Sequence, residues 1–542
     1  MLFNSYIFLF LFLPLALAGF YLAGRFGRGP AAAWLAVMSL VFYAWWDVTF
    51  VVLLLISIAF NFGCAELTGA LSPRPRLQSA CLAGGIGANL AALIYYKYFA
   101  ALLAFADGFA GVHLAVPDIV LPLGISFFTF TQIGYLVDVK QGTAKERGLL
   151  NYVLFVTFFP HLIAGPILHN GEIMPQFEDA ATYRPNGGNF AAGLTLFVIG
   201  LAKKCLLADP LSATVGAGFA GAAHSPLFAA WNTALAYSLQ LYFDFSGYSD
   251  MAIGIARMFN VQFPLNFNSP YKATSIIDFW QRWHITLTRY LTLYVYTPVA
   301  MSISRRRAAR GLGITRAAQS TPRGFAVMVA FPVFVTMLLA GAWHGAGAQF
   351  LVFGVLHAVF LTVNHAWRLF RPRRGGAPGR RALLGGFALT FLCALLARIF
   401  FRAPSVAAAL GLLGGMAGLH GIEGLALPGA ALAPLGAAGR ALLAHGVVMP
   451  VRAVDAAGIW TQAIWLAVLY AAVFGLPNSQ QIMGRVWQES GVRQAGPSPL
   501  AAPAPAWLGW RPTRGWGMAL GAVAAVSLLA VGGTAEFLYF QF

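Results

Sequence analysis

Apolar residues in this chain come in long runs, not in alternation. Runs lie at roughly 6–23, 31–46, 48–68, 78–103, 119–138, 149–165, 188–203, 230–258, 276–300, 324–343, 349–367, 382–401, 456–475 and 516–533. Each run is about the length that carries a helix across the hydrocarbon layer of a bilayer. None shows the strict period of two that barrel strands require. The pattern predicts an all-α, polytopic integral membrane protein with about eleven to fourteen membrane helices and re-entrant segments. The Ala-, Gly- and Leu-rich stretch 404–455 reads as weak helix plus a loop on the outer side, and the Pro-rich stretch 489–515 as a linker. No matched pair of halves stands out. The chain reads as one membrane-embedded domain over 1–542, with a core at about 120–370 and peripheral helices at about 380–542.

Composition agrees with this pattern and charge refines it. Of 542 residues, 59% are hydrophobic and 10% charged, whereas a soluble domain has roughly a quarter charged. The net charge of +18 does not point to nucleic acid, because the basic residues sit in short clusters between apolar runs. That placement marks 140–147, 305–323 and 368–381 as cytoplasmic loops and puts both termini outside. The stretch 205–310 mixes Lys272, Arg282 and Arg289 with apolar residues, so it is expected to dip into the bilayer. No basic residue precedes the first apolar run, as one would in a signal peptide, so that run reads as a retained helix. The four cysteines are scattered, with no disulfide framework and no zinc spacing.

Candidate chemistry lies where polar groups interrupt these runs. "AWHGAGAQFLVFGVLH" (342–357) begins where one run ends. His344 is followed by Gly345 and Gly347, which make a helix break at membrane depth. Irregular backbone at that depth must be buried in protein or line a cavity. A titratable group on such a break is a site candidate. His357 falls in the middle of the next run.

The densest polar stretch is Leu239–Leu291. Asp250, Gly254 and Arg257 share a helix face there, and glycines at 247 and 254 would admit a neighbouring helix. "PLNFNSPY" is a loop holding Asn266 between prolines. In "SIIDFWQRWHITLTRYL", Ser275 can cap a new helix with Asp278 three residues on. Asp278 and Arg282 can pair one turn apart. Trp280 and His284 share a stripe bordered by Trp283. A histidine among tryptophans is often an interfacial residue, and buried Asp and Arg are often a packing network. No HExxH, P-loop or GxSxG motif is present.

In the order "FDFSGYSDMAIG" (243–254), "DFWQRWH" (278–284) and "WHGAG" (343–347), together with "FFTFTQIGYLVDV" and "FVTFFPHLIAGPI", the sequence resembles the membrane-bound O-acyltransferases, in particular the bacterial alginate O-acetyltransferase branch. It departs from that branch at "LTLYVYTPVAMS", at Gln281 and at Ala348. The resemblance implies a ring of helices around a central tunnel in the bacterial inner membrane. It implies catalysis by His344 and His284, with Trp343, Trp280, Trp283, Arg282, Asp278, Asp250 and Asn266 as further candidate substrate contacts. It implies acetyl-CoA as donor, no bound cofactor, and an exported polysaccharide such as alginate as destination, reached directly or through an extracytoplasmic SGNH-type acetyltransferase partner. Cellulose or a cell-wall polymer is the nearest alternative acceptor. Two readings from other classes are a proton-coupled transporter built on buried Asp and His, and a haem protein using His344 and His357.

Overall fold

The computed structural model describes residues 1–110, 117–371, 379–422, 425–451, 453–489, 505–532 and 537–538. Residues 372–378 of one expected cytoplasmic loop, 490–504 of the Pro-rich linker, and the end of the C-terminal "FLYFQF" lie outside these. Among the described residues the protein is helical, apart from a short parallel ladder of Leu425–Pro428 with Val448–Val451. That ladder lies in the stretch expected to be weak helix and loop. Among the described residues, six helices are long and apolar enough to cross a bilayer: Thr49–Ala70, Pro75–Lys97, Gly187–Ala220, Pro322–His344, Ala348–Phe370 and Arg380–Arg402. Shorter apolar helices include Phe8–Gly24, Val406–Met416 and Arg514–Leu529. The protein is a multi-pass membrane protein.

Leu227–Met258, 32 residues long, is the central helix, and from Tyr237 onward every residue is buried. Its polar residues explain why it is not itself a plain apolar span. Asp244 meets Lys204 at 2.7 Å and Asp250 meets Lys203 at 2.7 Å. Both lysines stand at the π-helical turn Lys203–Ala208 of the neighbouring helix. The far end of the chain is tied to the same carboxylate: Leu538 donates its backbone N–H to Asp244 at 3.0 Å. The two helices pack almost backbone to backbone. A Cβ on Gly254 would stand 2.5 Å from the Gly193 carbonyl oxygen, and one on Gly200 would stand 2.5 Å from that of Gly247. Small residues at such crossings are how membrane helices approach closely without a hydrophobic driving force. Elsewhere polar glue does similar work, as where Asn61 and Asn89 exchange hydrogen bonds of 3.1 and 2.6 Å between adjacent helices.

Two of the expected continuous spans are broken. The run at 149–165 stops as helix at Thr157, before Pro160. The run at 276–300 is cut at His284, which takes the left-handed conformation (φ 46°, ψ 55°) between the short helices Ile276–Trp280 and Ile285–Leu291. Ser275 caps the first of these by accepting from the Asp278 backbone at 3.2 Å, as the sequence suggested. Residues 259–275 run mainly without helix, and two backbone bonds of 3.0 Å, Asn268 N–H to Arg282 and Ile285 N–H to Asn266, pin this loop along the His284 break.

Valine at Gly254 should wedge the central helix from its neighbour and destabilise the protein by about 1–3 kcal/mol or more. The folded, monodisperse fraction in detergent and the thermal midpoint measure this. Valine at Gly84, where no neighbour lies within 4 Å, is the control and should leave both unchanged.

Candidate active site

The helix Pro322–His344 ends at His344, with Gly345 in extended conformation next in the chain. Helix ends leave carbonyls without partners, and at this depth something in the protein must satisfy them. Lys97, the last residue of Pro75–Lys97, donates to the carbonyls of Trp343 at 2.6 Å and His344 at 3.1 Å. Tyr98 donates to that of Ala342. An ammonium at a helix C-terminus also meets the negative end of the helix dipole. Lys97 and Tyr98 therefore hold the break that carries His344.

His344 and His284 are both buried, at 5% and 1% exposure, and line one chamber with Trp280, Trp283, Phe353, His357, Arg398 and Phe401. His344 and Trp343 also line a second cavity, with Lys97, Trp46 and Ser126. Trp280 also borders a third cavity, and His365 lines both that one and a fourth, lined by Arg316 and Arg368. These four cavities form a file. Its fourth cavity belongs to the loops marked basic in the sequence, and His344 stands at the partition between the chamber and the second cavity.

The ring states within the chamber follow from hydrogen-bond logic. Asn266 accepts at Oδ1 from the Thr286 backbone N–H (3.3 Å) and the Thr286 hydroxyl (2.9 Å), while its Nδ2 donates to Ser249 at 3.1 Å. A backbone N–H can only donate, so the oxygen of the amide faces Thr286. His284 Nδ1 lies 3.0 Å from that same oxygen and must donate to it. A neutral His284 therefore carries its proton on Nδ1 and leaves Nε2 as an acceptor. By the same reasoning the Trp280 indole N–H, which only donates, reaches His357 Nδ1 at 3.2 Å and places the His357 proton on Nε2. Packing holds His284 further: Phe245 stands edge-on at 4.8 Å between centroids. A non-glycine residue in the left-handed region is strained, and such strain collects at functional sites.

The structure brings together four of the nine residues singled out from sequence in the chamber: His344, His284, Trp280 and Trp283. Trp343 lines the adjoining cavity. The remaining four line neither cavity. Asp278 and Arg282 pair at 2.7 Å, and Arg282 also bonds the Asn268 carbonyl. Asp250 binds Lys203 and Gln480. Asn266 is the anchor of His284. Sequence reasoning left out Lys97 and Arg398. Each is a single cation inside an apolar run, a signal that was present.

The sequence profile of the membrane-bound O-acyltransferase family matches residues 140–315. A peptidoglycan O-acetyltransferase of Helicobacter pylori is 39% identical over 451 residues, covering 78% of this chain and 81% of that protein. The chain belongs to the membrane-bound O-acyltransferase family. This acyltransferase is also 36% identical over 412 residues to a protein of Pseudomonas aeruginosa named probable alginate O-acetylase, covering 75% of this chain and 73% of that one. A teichoic acid D-alanyltransferase of Bacillus subtilis is 26% identical over 260 residues, 48% of this chain and 62% of that protein. The acyltransferase is thus an enzyme, as the motifs implied.

Asn266→Leu removes the acceptor that sets the His284 tautomer, whereas Asn266→Asp keeps an oxygen there. In nitrogen-15 spectra of histidine-labelled protein, the Leu variant should lose the fixed Nδ1–H signature and the Asp variant should retain it. Unchanged histidine spectra in Asn266→Leu would rule out the anchoring role.

Proposed function

We propose that this acyltransferase takes an acetyl group from acetyl-CoA at the basic, cytoplasmic side of a bacterial inner membrane and delivers it outward for O-acetylation of an exported polysaccharide. The observation that carries this reading is the place of His344, at a partition in a file of cavities whose far end is lined by Arg316 and Arg368. Cations at a cavity mouth attract the phosphates of coenzyme A. The thioester then lies along the file, with its carbonyl in the chamber.

An acceptor hydroxyl enters from the second cavity. His344 takes its proton as the oxygen attacks the carbonyl carbon, and then returns the proton to the departing thiolate. His284, with Nε2 as acceptor, is a helper that orients the reacting groups. Outside the membrane there is no coenzyme A, so transfer through the protein supplies what the exterior lacks. The hydroxyl belongs either to the polymer or to an extracytoplasmic SGNH-type acetyltransferase that passes the group on.

The similarity to a peptidoglycan O-acetyltransferase supports a second acceptor, a cell-wall polymer, beside an alginate-like polysaccharide. Ester-linked acetate in secreted polysaccharide and in purified cell wall, compared between wild type and a deletion strain, decides between them. The polymer that loses acetate is the product.

His344→Ala should insert and fold normally, because the residue sits at a helix end. Polymer acetate per folded molecule should fall by about 10²–10⁴-fold, the range of general-base help. His284→Ala should be less severe. A histidine that only bridges helices would instead lower the amount of folded protein and leave acetylation per folded molecule near normal.

A further inference from the structure

The half-buried Lys203 and the buried Lys204 and Arg282 each hold a carboxylate. Lys203 has Asp250, Lys204 has Asp244 and Arg282 has Asp278, each at 2.7 Å. Arg398 differs. It comes from the helix Arg380–Arg402, is 4% exposed, and lines the chamber of His344 and His284. Its Nη1 donates to the Ser238 hydroxyl at 2.9 Å. The guanidinium carbon stands 4.6 Å from the ring centroids of Tyr271 and Trp283, and 5.4 Å from that of Phe279. Those rings stabilise a cation through their faces, and the Tyr271 hydroxyl also lies within hydrogen-bonding reach of the guanidinium. Nη2 is buried and has no hydrogen-bond partner among the described residues, and among them no ion pair reaches Arg398.

A guanidinium keeps its charge in any protein environment. Burying one without a counter-ion is strongly unfavourable, and here that cost is borne at the wall of the reacting centre. The reaction proposed above creates an anion in this chamber. As the hydroxyl oxygen bonds to the thioester carbon, the carbonyl π pair moves onto the carbonyl oxygen. Collapse of this adduct restores the carbonyl and breaks the C–S bond. The proton held by His344 goes to the sulfur, so ester and thiol leave and nothing is oxidised or reduced. Fixed donors aimed at such an oxygen contribute most in a site that excludes water.

We infer that Arg398 is a catalytic residue whose Nη2 binds the oxyanion formed on the thioester carbonyl. The inference rests on the acyl-transfer reading of the chamber. The rings of Tyr271, Trp283 and Phe279 and the Ser238 hydroxyl hold the fork in place, so no reorganisation is needed when the charge appears. The waiting counter-charge is the transition state itself, so the chamber needs no resident carboxylate at Arg398.

The test uses the full-length protein with Arg398→Gln, Arg398→Met and Ser238→Ala. Three quantities are read: acyl ester on the exported polymer per folded molecule in cells, kcat and KM for acetyl-CoA after reconstitution with that polymer, and the thermal midpoint. Arg398→Gln should lower kcat by about 100- to 1,000-fold with KM within about twofold, because the lost interaction exists only in the transition state. Arg398→Met should melt at or above the wild-type temperature, since an unpaired buried cation is gone. Ser238→Ala loosens the fork without touching the charge and should lower kcat about tenfold in a folded protein. A lowered midpoint with wild-type kcat per folded molecule would make Arg398 a packing element and overturn the inference. A raised KM at unchanged kcat would make it a ground-state anchor, with the same consequence. If neither Arg398 variant folds, wild-type kcat in Ser238→Ala overturns it. If the wild type turns over no acetyl-CoA, the donor reading fails, and Arg398 is judged by the cellular ester content alone.

Discussion

No water is available in the hydrocarbon layer to satisfy a broken backbone, and the structure of this acyltransferase depends on how it meets that constraint. Two breaks carry His344 and His284. At His344 the carbonyls of the last helical turn are taken up by Lys97 and Tyr98 from a helix about 245 residues away in sequence. At His284 the loop 259–275 supplies backbone partners, and Asn266 gathers Thr286 and the imidazole on one oxygen. Helix termination leaves polar groups that would be costly to bury alone. Here those groups are anchored in a way that also orients the rings. The satisfaction of the backbone and the preparation of the site are one arrangement.

The central helix Leu227–Met258 makes that arrangement rigid. One face is locked to its neighbour through glycine contacts and two lysine–carboxylate pairs. Another presents Phe245 to His284 and Leu241 to the chamber. Because the ion pairs lie off the chamber, their charges are spent within the scaffold and the chamber keeps a single cation, Arg398, with three histidines. A site built in this way concentrates its electrostatics on the substrate. The cavities on either side of Trp280 and His365 adjoin one another, and the chamber among them holds both His344 and His284.

Much of this was legible in the chain. Long apolar runs dictate helices wherever the backbone can satisfy itself, so the all-α membrane architecture followed from periodicity and length. His344 announced itself through Gly345 and Gly347, because glycines after an ionisable residue in an apolar run make little sense as a packed helix. The pairing of Asp278 with Arg282 and the cap at Ser275 are local, three or four residues apart, and so could be read directly. The broken helix at His284 could not. Nothing in "DFWQRWHITL" forbids a helix; the bonds from Asn266 and Asn268 outcompete helical propensity there, and they come from a loop whose path is set by tertiary packing.

The roles of individual polar residues divide along the same line. Asp250, Asn266, Asp278 and Arg282 carry the same chemical potential for substrate contact as any polar residue in a membrane, and composition alone could not rank them. Their partners decide, and those partners arrive from other helices. Lys97 and Arg398 look alike in the sequence, each a lone cation in an apolar run, yet one caps a helix and the other faces the chamber without a counter-ion. The sequence by itself determined that the chain spans a membrane and that His344 sits on a helix break, because these depend on local polarity and backbone freedom. Only the tertiary structure decided which breaks meet, which nitrogen of His284 holds the proton and which buried charge is left for a substrate, because hydrogen bonding and charge pairing are settled by neighbours in space and not by neighbours in the chain.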